Sequence, residues 1–296
     1  MPHNHDHLTR FLLERANVRG VLVHLDQTWQ AIIERASYPP AVAEYLAQCT
    51  VAAALFTAAL KFNGRLSIQL RGESAIRRLF AECTTEGSLR AIAHFDDDVS
   101  PDISLSDFGE KAMLAITIEK NRPGNLEPQR YQGIVALQTE TLSAAFEQYF
   151  MQSEQLPTRM VFFKQGQRLA GVLIQQLPEQ ANSDDDWQRA QALFETLGGD
   201  ELFALDAEEI LYRLFHEEYV HVLESRPLEF ACSCSRERVE NALISLGQAE
   251  IVETLAENAE ITVHCDFCGQ GYVFTDTQAL ALFWPNAVAP GSDRLQ

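Results

Sequence analysis

The residues of this 296-residue chain that could do chemistry are its six cysteines, and they are unevenly spread. Cys49 and Cys83 stand alone, whereas Cys232, Cys234, Cys265 and Cys268 crowd toward the C-terminal end. The pattern is Cys232-Ser-Cys234, a spacer of thirty residues, then Cys265-Asp-Phe-Cys268. Two short pairs separated by a loop are how a small domain supplies four thiolates to one Zn2+, each at about 2.3 Å. The second pair, followed by Gly269, reads as a zinc knuckle; the first, with one intervening residue, is strained for one. Unmetallated core cysteines are the alternative, and Cys49 and Cys83 fit that role better. Four protein thiolates leave no position open for water, so the site is not hydrolytic and the chain is read as a non-enzyme.

Two readings of the zinc stay open at this point. It can be purely structural, with the tail acting as a binding or regulatory module of zinc-ribbon type. It can also be redox-sensitive, because each pair is close enough in sequence to close a local disulfide. Residues 232–296 are few enough that metal binding could supply most of their folding energy, on the order of 10 kcal/mol. Loss of the ligands would then unfold the tail.

The elements around this site divide by charge. The chain carries 42 acidic and 23 basic side chains, a formal net of −19. That argues against nucleic-acid binding, which needs a basic face, and against an anionic membrane. Residues 1–178 have a net of −2, residues 179–231 a net of −11, and residues 232–296 a net of −6. This division predicts a near-neutral N-terminal domain, an acidic linker and a C-terminal zinc domain. The longest apolar run, Val51 to Leu60, falls short of the roughly 18 residues of a membrane span. Met1 to Arg10 is polar and His-rich with no signal-peptide core, so a cytosolic protein with reduced thiols is expected.

In residues 1–178, strands are expected at Gly20–Leu25, Arg65–Leu70, Leu89–Phe95, Ala112–Ile118, Tyr131–Leu137, Met160–Phe163 and Leu169–Gln176. Helices are expected at Ala41–Phe62, after Pro39-Pro40, and at Thr141–Glu154. Helices and hairpins interleave without a βαβ rhythm, so the fold class is α+β. The middle segment reads as two amphipathic helices. The first is capped by Ser183, carries Trp187, Ala190, Phe194 and Leu197 on one face, and stops at Gly198-Gly199. The second is capped by Asp206 and carries Ile210, Leu211, Leu214, Phe215, Tyr219 and Val222 up to Pro227. Fourteen carboxylates meet three arginines there, so the segment should dock only marginally. Between the cysteine pairs, Arg236–Leu246 and Ala249–Ala256 read as helices.

The chain resembles the bacterial redox-regulated 33 kDa chaperonin family. The resemblance rests on Phe230-Ala-Cys-Ser-Cys-Ser-Arg-Glu-Arg238 and His264-Cys-Asp-Phe-Cys-Gly269. It is carried further by Tyr149-Phe-Met-Gln-Ser-Glu-Gln-Leu-Pro-Thr-Arg159, Arg130-Tyr-Gln-Gly-Ile-Val135, Leu60-Lys-Phe-Asn-Gly64 and Tyr212-Arg-Leu-Phe-His-Glu-Glu218. The stretch Arg71 to Arg78 is more charged than the family's pattern, and Gly171 stands where a glycine pair is common. The resemblance implies an ATP-independent holdase that is a zinc-bound, inactive monomer when reduced. It implies that peroxide with heat, or hypochlorous acid, oxidises the four cysteines into 232–234 and 265–268 disulfides and releases zinc. The linker then unfolds, the protein forms a homodimer, and it holds unfolding client proteins through oxidative and heat stress.

Other patterns fit less well. A lone Cys-x-x-Cys would suit a thioredoxin-like oxidoreductase, but no βαβ context surrounds it. A nucleic-acid-binding zinc ribbon is opposed by an acidic tail without lysine. No phosphate-loop pattern for an ATP-driven chaperone occurs. His3, His5 and His7 read as a disordered terminus, His264 as exposed beside the cluster, and His216 and His221 as surface positions. Asp96 to Asp98 and Asp184 to Asp186 read as solvated charge, and Phe162 with Phe163 as strand core.

Overall fold

The computed structural model describes residues 6–124, 126–178 and 184–284. The chain divides into two units, Met1–Ala231 and Cys232–Gln296. In the first, the chain runs β1 (His7–Leu13), β2 (Val18–Leu25), α1 (Gln27–Ile33), α2 (Pro40–Ala59), β3 (Gly64–Arg71), β4 (Ile76–Thr84) and β5 (Ser88–Phe95). It continues through β6 (Met113–Lys120), β7 (Gln129–Ala136), α3 (Leu142–Ser153), β8 (Thr158–Gln165) and β9 (Arg168–Gln176). Then follow α4 (Asp184–Phe194), α5 (Gly199–Ala204), α6 (Ala207–Phe215), β10 (Val220–Pro227) and β11 (Glu229–Phe230).

Two sheets form the frame. One has five antiparallel strands in the order β10-β1-β2-β9-β8; the other has six, β11-β5-β4-β3-β6-β7, with only β11 parallel to its neighbour. Alternation in β3, with Leu66, Ile68 and Leu70 buried, turns the apolar face of the second sheet inward. Strands of both sheets close on α2, whose Ala-rich sequence is apolar all round and lets backbones approach. By length and composition alone α2 could cross a membrane, but 78% of that stretch is buried in this core. Pro40 opens the helix where no backbone donor is needed, and Thr141 caps α3 by accepting from the Ala144 amide at 3.2 Å. Phe56 meets Phe146 and Phe150 edge-on at 5.1 and 4.7 Å between centroids, tying α2 to α3.

The inner strands of the five-stranded sheet are buried on both faces. Residues 169 to 175 of β9 are all buried, because one face looks onto α2 and the other onto the acidic segment. On that second face Phe11, Leu22, Val172 and Ile174 receive Ala190, Phe194, Leu202, Ile210, Leu211 and Phe215. Phe11 stacks on Phe215 at 6.0 Å, and Gly20 makes room for it, since a Cβ there would collide with the Phe11 ring. The outer sides of the covering helices are acidic, as charge predicts, but three short helices, of 11, 6 and 9 residues, stand where spacing predicts two longer ones.

The second half of that segment corrects the expectation from periodicity. The helix begun by Asp206 ends at Phe215, His216–Glu218 form one 3-10 turn, and Tyr219 adopts a left-handed conformation (φ 53°). Val220 to Pro227 is then a strand on β1, not a helical stripe. Tyr219 sits at this break and Val222 beyond it in the strand, and the β-branched valines suit an extended edge. Within the first half, α4 ends at Phe194, short of Leu197 and before the expected stop at Gly198-Gly199, and Gly198 then caps α5; Ser183, like His3 and His5, lies outside the described residues. Among the elements not anticipated in this unit are β1, hidden in the His-rich start; α1; β4, whose alternation is interrupted by a register shift between Ile76 and Arg78; and the short α5 and β11. His7 lies in β1, and Asp96 pairs with Arg77 at 2.6 Å.

Candidate metal centre

The second unit is built from α7 (Arg236–Leu246), α8 (Gln248–Glu257), β12 (Glu260–His264), β13 (Gly271–Thr275) and α9 (Asp276–Ala281). Its apolar core is slight: Leu243, Ile251, Ile261, Phe274 and Ala279 are the buried members among the described residues. β12 and β13 form an antiparallel hairpin, and Cys265-Asp-Phe-Cys268 is its tip. The Gly269 amide donates to the Cys265 carbonyl at 2.7 Å, and the Cys265 amide to Gln270 at 2.9 Å. Gly269 has φ +72°, which a side chain would oppose, so the tight turn requires it.

Cys232-Ser-Cys234 lies outside helix and strand and leads straight into α7. Ser235 caps that helix by accepting from the Arg238 amide at 3.2 Å, and the Arg238 guanidinium donates to Ser233 Oγ at 2.6 Å. The stretch is thus pinned from both sides of Cys234 by a local motif. Cap and hairpin together bring all four Sγ atoms within 4.8 Å of one another. Contacts of 3.6 Å (Cys232 to Cys265) and 3.4 Å (Cys234 to Cys268) run between the pairs. A tetrahedron with ligands at about 2.3 Å has edges of about 3.8 Å, so this arrangement fits one metal ion.

The electrostatics point the same way. Burial, with the neighbouring thiols adding to it, pushes Cys268 up to about 12. Four thiols this close cannot all ionise beside one another unless a cation offsets the charge. The Tyr272 hydroxyl donates to Cys234 Sγ at 3.2 Å, and that bond, aided by desolvation, pushes the phenol up to about 12. Tyr272 was not singled out from spacing; its role appears only because β13 folds back over the first pair. His264 is exposed and outside the four-sulfur group. Cys49 and Cys83 lie in the α2 core, fully buried, where desolvation pushes each thiol up to about 12.

The chain enters this centre directly from the first unit. β11 pairs with β5, Arg35 lies over the Phe230 ring at 4.3 Å, and the Ala231 amide donates to Leu89 at 3.2 Å. The next residue is Cys232. Upstream, the cover on the sheet is held by polar contacts that the sequence did not reveal. Arg189 meets Glu218, fully buried, at 2.6 and 2.9 Å, and Asp186 at 3.0 Å. His24 Nε2 lies 2.7 Å from the Leu202 carbonyl. The cover is incomplete: a cavity of about 630 Å³ remains between α5, the start of α6 and the end of the sheet, lined by His7, His24, Arg168 and Phe203 among others. Phe162 and Phe163 are half-buried in β8, Phe163 on the side of the cover.

A family model described as Hsp33 protein matches residues 6–275. A 33 kDa chaperonin of Chromobacterium violaceum is 40% identical over 286 residues, covering 97% of this chain and 96% of its own. One of Cronobacter sakazakii is 42% identical over 274 residues, covering 91% and 92%. The crystal structure of a 33 kDa chaperonin from Thermotoga maritima superposes with a TM-score of 0.76 over 95% of this chain and 98% of that one. At 21% identity it speaks for the fold alone. Sheets, covering helices and both cysteine pairs all fall inside the matched span, and the chain belongs to the Hsp33 family of chaperonins.

Proposed function

We propose that the protein is an ATP-independent holdase of the cytosol, switched on when its zinc-bound thiolates are oxidised. The observation that carries this is the four-sulfur cluster, one residue beyond the last main-chain bond of a marginally held acidic cover. Cys232, Cys234, Cys265 and Cys268 would hold Zn2+, which keeps thiolates deprotonated and offsets their repulsion.

Hypochlorous acid transfers its chlorine to one thiolate and leaves hydroxide; the second thiolate displaces chloride and closes the disulfide. Two such events pair Cys232 with Cys234 and Cys265 with Cys268, and four electrons pass to the oxidant. The contacts at 3.4 and 3.6 Å run between the pairs, so disulfides within each pair pull the cluster apart. No thiolate then remains as a ligand, and the slight apolar cluster of Leu243, Ile251, Ile261, Phe274 and Ala279 among the described residues is too small to hold the tail folded.

Release passes back along the chain through Ala231 to residues 179–231. The helices α4 to α6 have 11, 6 and 9 residues, below the length at which isolated helices persist in water. Once loosened they leave the sheet, which uncovers Phe11, Leu22 and Val172 and frees Phe194, Leu202 and Phe215. Such surface binds unfolding proteins broadly because it is apolar and unshaped. The oxidised chain acts as a homodimer, as the family resemblance implies, with no nucleic-acid or membrane partner.

The test is light scattering of a heat-unfolding client without ATP, with the protein added zinc-reduced or treated with hypochlorous acid. Suppression by the oxidised form alone is expected, with about one zinc released per chain to a colorimetric chelator. Equal behaviour of both forms would return the metal to a structural role.

A further inference from the structure

We propose that the main-chain edge of β1, which β10 covers in the closed protein, is a docking site for an extended amphipathic segment of an unfolding protein. That segment adds to the five-stranded sheet as a strand. The inference rests on the function proposed above, because only release of residues 179–231 uncovers the edge.

β1 and β10 are unlike partners. β1 lies inside the sheet, with Leu8, Thr9, Phe11 and Leu13 buried. β10 is the sheet's outermost strand, and six of its eight side chains are exposed, Leu223 to 55%. Side-chain burial therefore contributes little to its hold. The polar pairs along it are exposed or partly so: Arg10 with Glu224 at 3.2 Å, His221 with Glu14 at 2.8 Å, and Thr9 Oγ1 with Ser225 Oγ at 3.3 Å. Arg226, which donates to the Thr85 carbonyl, is a further tether. What remains is the ladder between His7–Leu13 and Pro227–Val220.

That ladder is itself imperfect. Arg10 faces Glu224 while Phe11 faces Val222, so Leu223 is the extra residue of a bulge, and Pro227 offers no amide. A regular strand from another protein can make a continuous ladder where β10 makes a broken one. This matters because β10 is tethered and competes at high effective concentration. β8, the other edge strand of the sheet, lies outside the released segment, and the Glu147 carboxylate of α3 already accepts from its Met160 amide at 3.0 Å. β1 is the edge that oxidation would unmask.

The occupant's chemistry follows from what β10 presents. Val220, Val222 and Ser225 stand opposite Leu13, Phe11 and Thr9, on the face that the acidic helices cover. His221, Glu224 and Arg226 alternate onto the other side. An added strand with apolar residues at alternate positions would extend the bared Phe11 face, and its main chain would satisfy β1 whatever its exact sequence. Proteins that have lost their own sheet partners supply such segments. In this arrangement β10 is a built-in stand-in for the client.

The test uses a fluorescein-labelled peptide of residues 219–228 and the full-length protein, reduced with zinc or treated with hypochlorous acid. Two further peptides carry N-methyl groups on alternate amides, one on each of the two sets, since only one set faces β1. The unmodified peptide should bind the oxidised chain at least tenfold more tightly than the reduced one and compete with a scattering client. One N-methylated peptide should lose at least tenfold in affinity and the other should retain it. Equal binding by both N-methylated peptides, or no peptide binding to a chain that suppresses aggregation, would overturn strand addition and leave the holdase reading intact. Asymmetric peptide binding by an oxidised chain that suppresses nothing would keep the edge site and overturn the holdase; loss of both would overturn both.

Discussion

On one face of the five-stranded sheet, Leu8, Val21, Val23, Leu169 and Leu173 pack against α2 and, through it, the second sheet. On the other, Phe11, Leu22, Val172 and Ile174 pack against three short helices with acidic backs. The apolar chemistry of the two faces is the same. What differs is how their covers are held. α2 is a 20-residue helix enclosed by strands on several sides, so it can leave only if the domain unfolds. The cover on the other face is joined to the sheet by one layer of side chains and a strand of mostly exposed side chains, while its own elements are tied to one another by the Arg189–Glu218 ion pair. The same comparison holds for the thiols. Cys49, on α2, and Cys83, on β4, are sealed in the core between them, whereas the four clustered sulfurs are only partly buried. Equal hydrophobicity can thus build a permanent core on one side and a detachable cover on the other.

The largest effect should come from removing a sulfur of the cluster. Cys268→Ser is expected to forfeit most of the metal-binding free energy, on the order of 10 kcal/mol. Residues 232–284 should then lose helical signal in far-UV circular dichroism without oxidant, while the main thermal transition of the α2 core persists. Loss of both together would show that the metal-held tail and the α2 core are not separable.

Next come two phenylalanines of equal burial. Phe56→Ala and Phe215→Ala should each cost about 3–5 kcal/mol. In Phe56→Ala this appears as a lower midpoint for the whole first unit. In Phe215→Ala the midpoint should stay, while binding of a hydrophobic dye and suppression of client aggregation rise in the reduced state. Identical melting behaviour of the two variants would erase the distinction between the faces.

Smaller again is Glu218→Gln, which leaves Arg189 with Asp186 alone. Arg189 is 34% exposed, so water screens part of the loss, and about 1–3 kcal/mol is expected. The readout is a lower dose of hypochlorous acid at half-maximal client suppression. Asp206→Ala removes the cap that accepts from the Glu209 amide at 2.8 Å and should shift that dose in the same direction by about 1 kcal/mol.

The smallest effect is expected at the sealed thiols. With both pushed up to about 12 by burial, they stay protonated and unreactive until well above neutral pH. Thiol titration of the native protein should therefore leave two cysteines unmodified at pH 8, and Cys49→Ala should not change the oxidant dose. A changed dose would place a sensor in the core.

Much of this was readable from the chain itself. The α+β class, α2 and α3, the turn at Gly269 and the two cysteine pairs follow from local periodicity, capping and spacing, each decided within a few residues. What periodicity got wrong was Tyr219 to Pro227, where a helical stripe and an edge strand share the same apolar positions. Only a neighbour with a free ladder, β1, decides between them. The strand β1 is masked by its polar, His-rich approach; β2 is the next strand of the same hairpin, but its other partner, β10, comes from a distant part of the sequence.

For the site, composition and spacing named all four cysteines but neither Tyr272 nor the ion pair of Arg189 with Glu218. The sequence by itself determined which side chains can take up a metal or an oxidant, because that chemistry resides in the residue types. Tertiary structure alone decided which apolar face lies under a removable cover and which strand it hides. Those properties belong to contacts between segments far apart in the chain, and no window of sequence contains both partners.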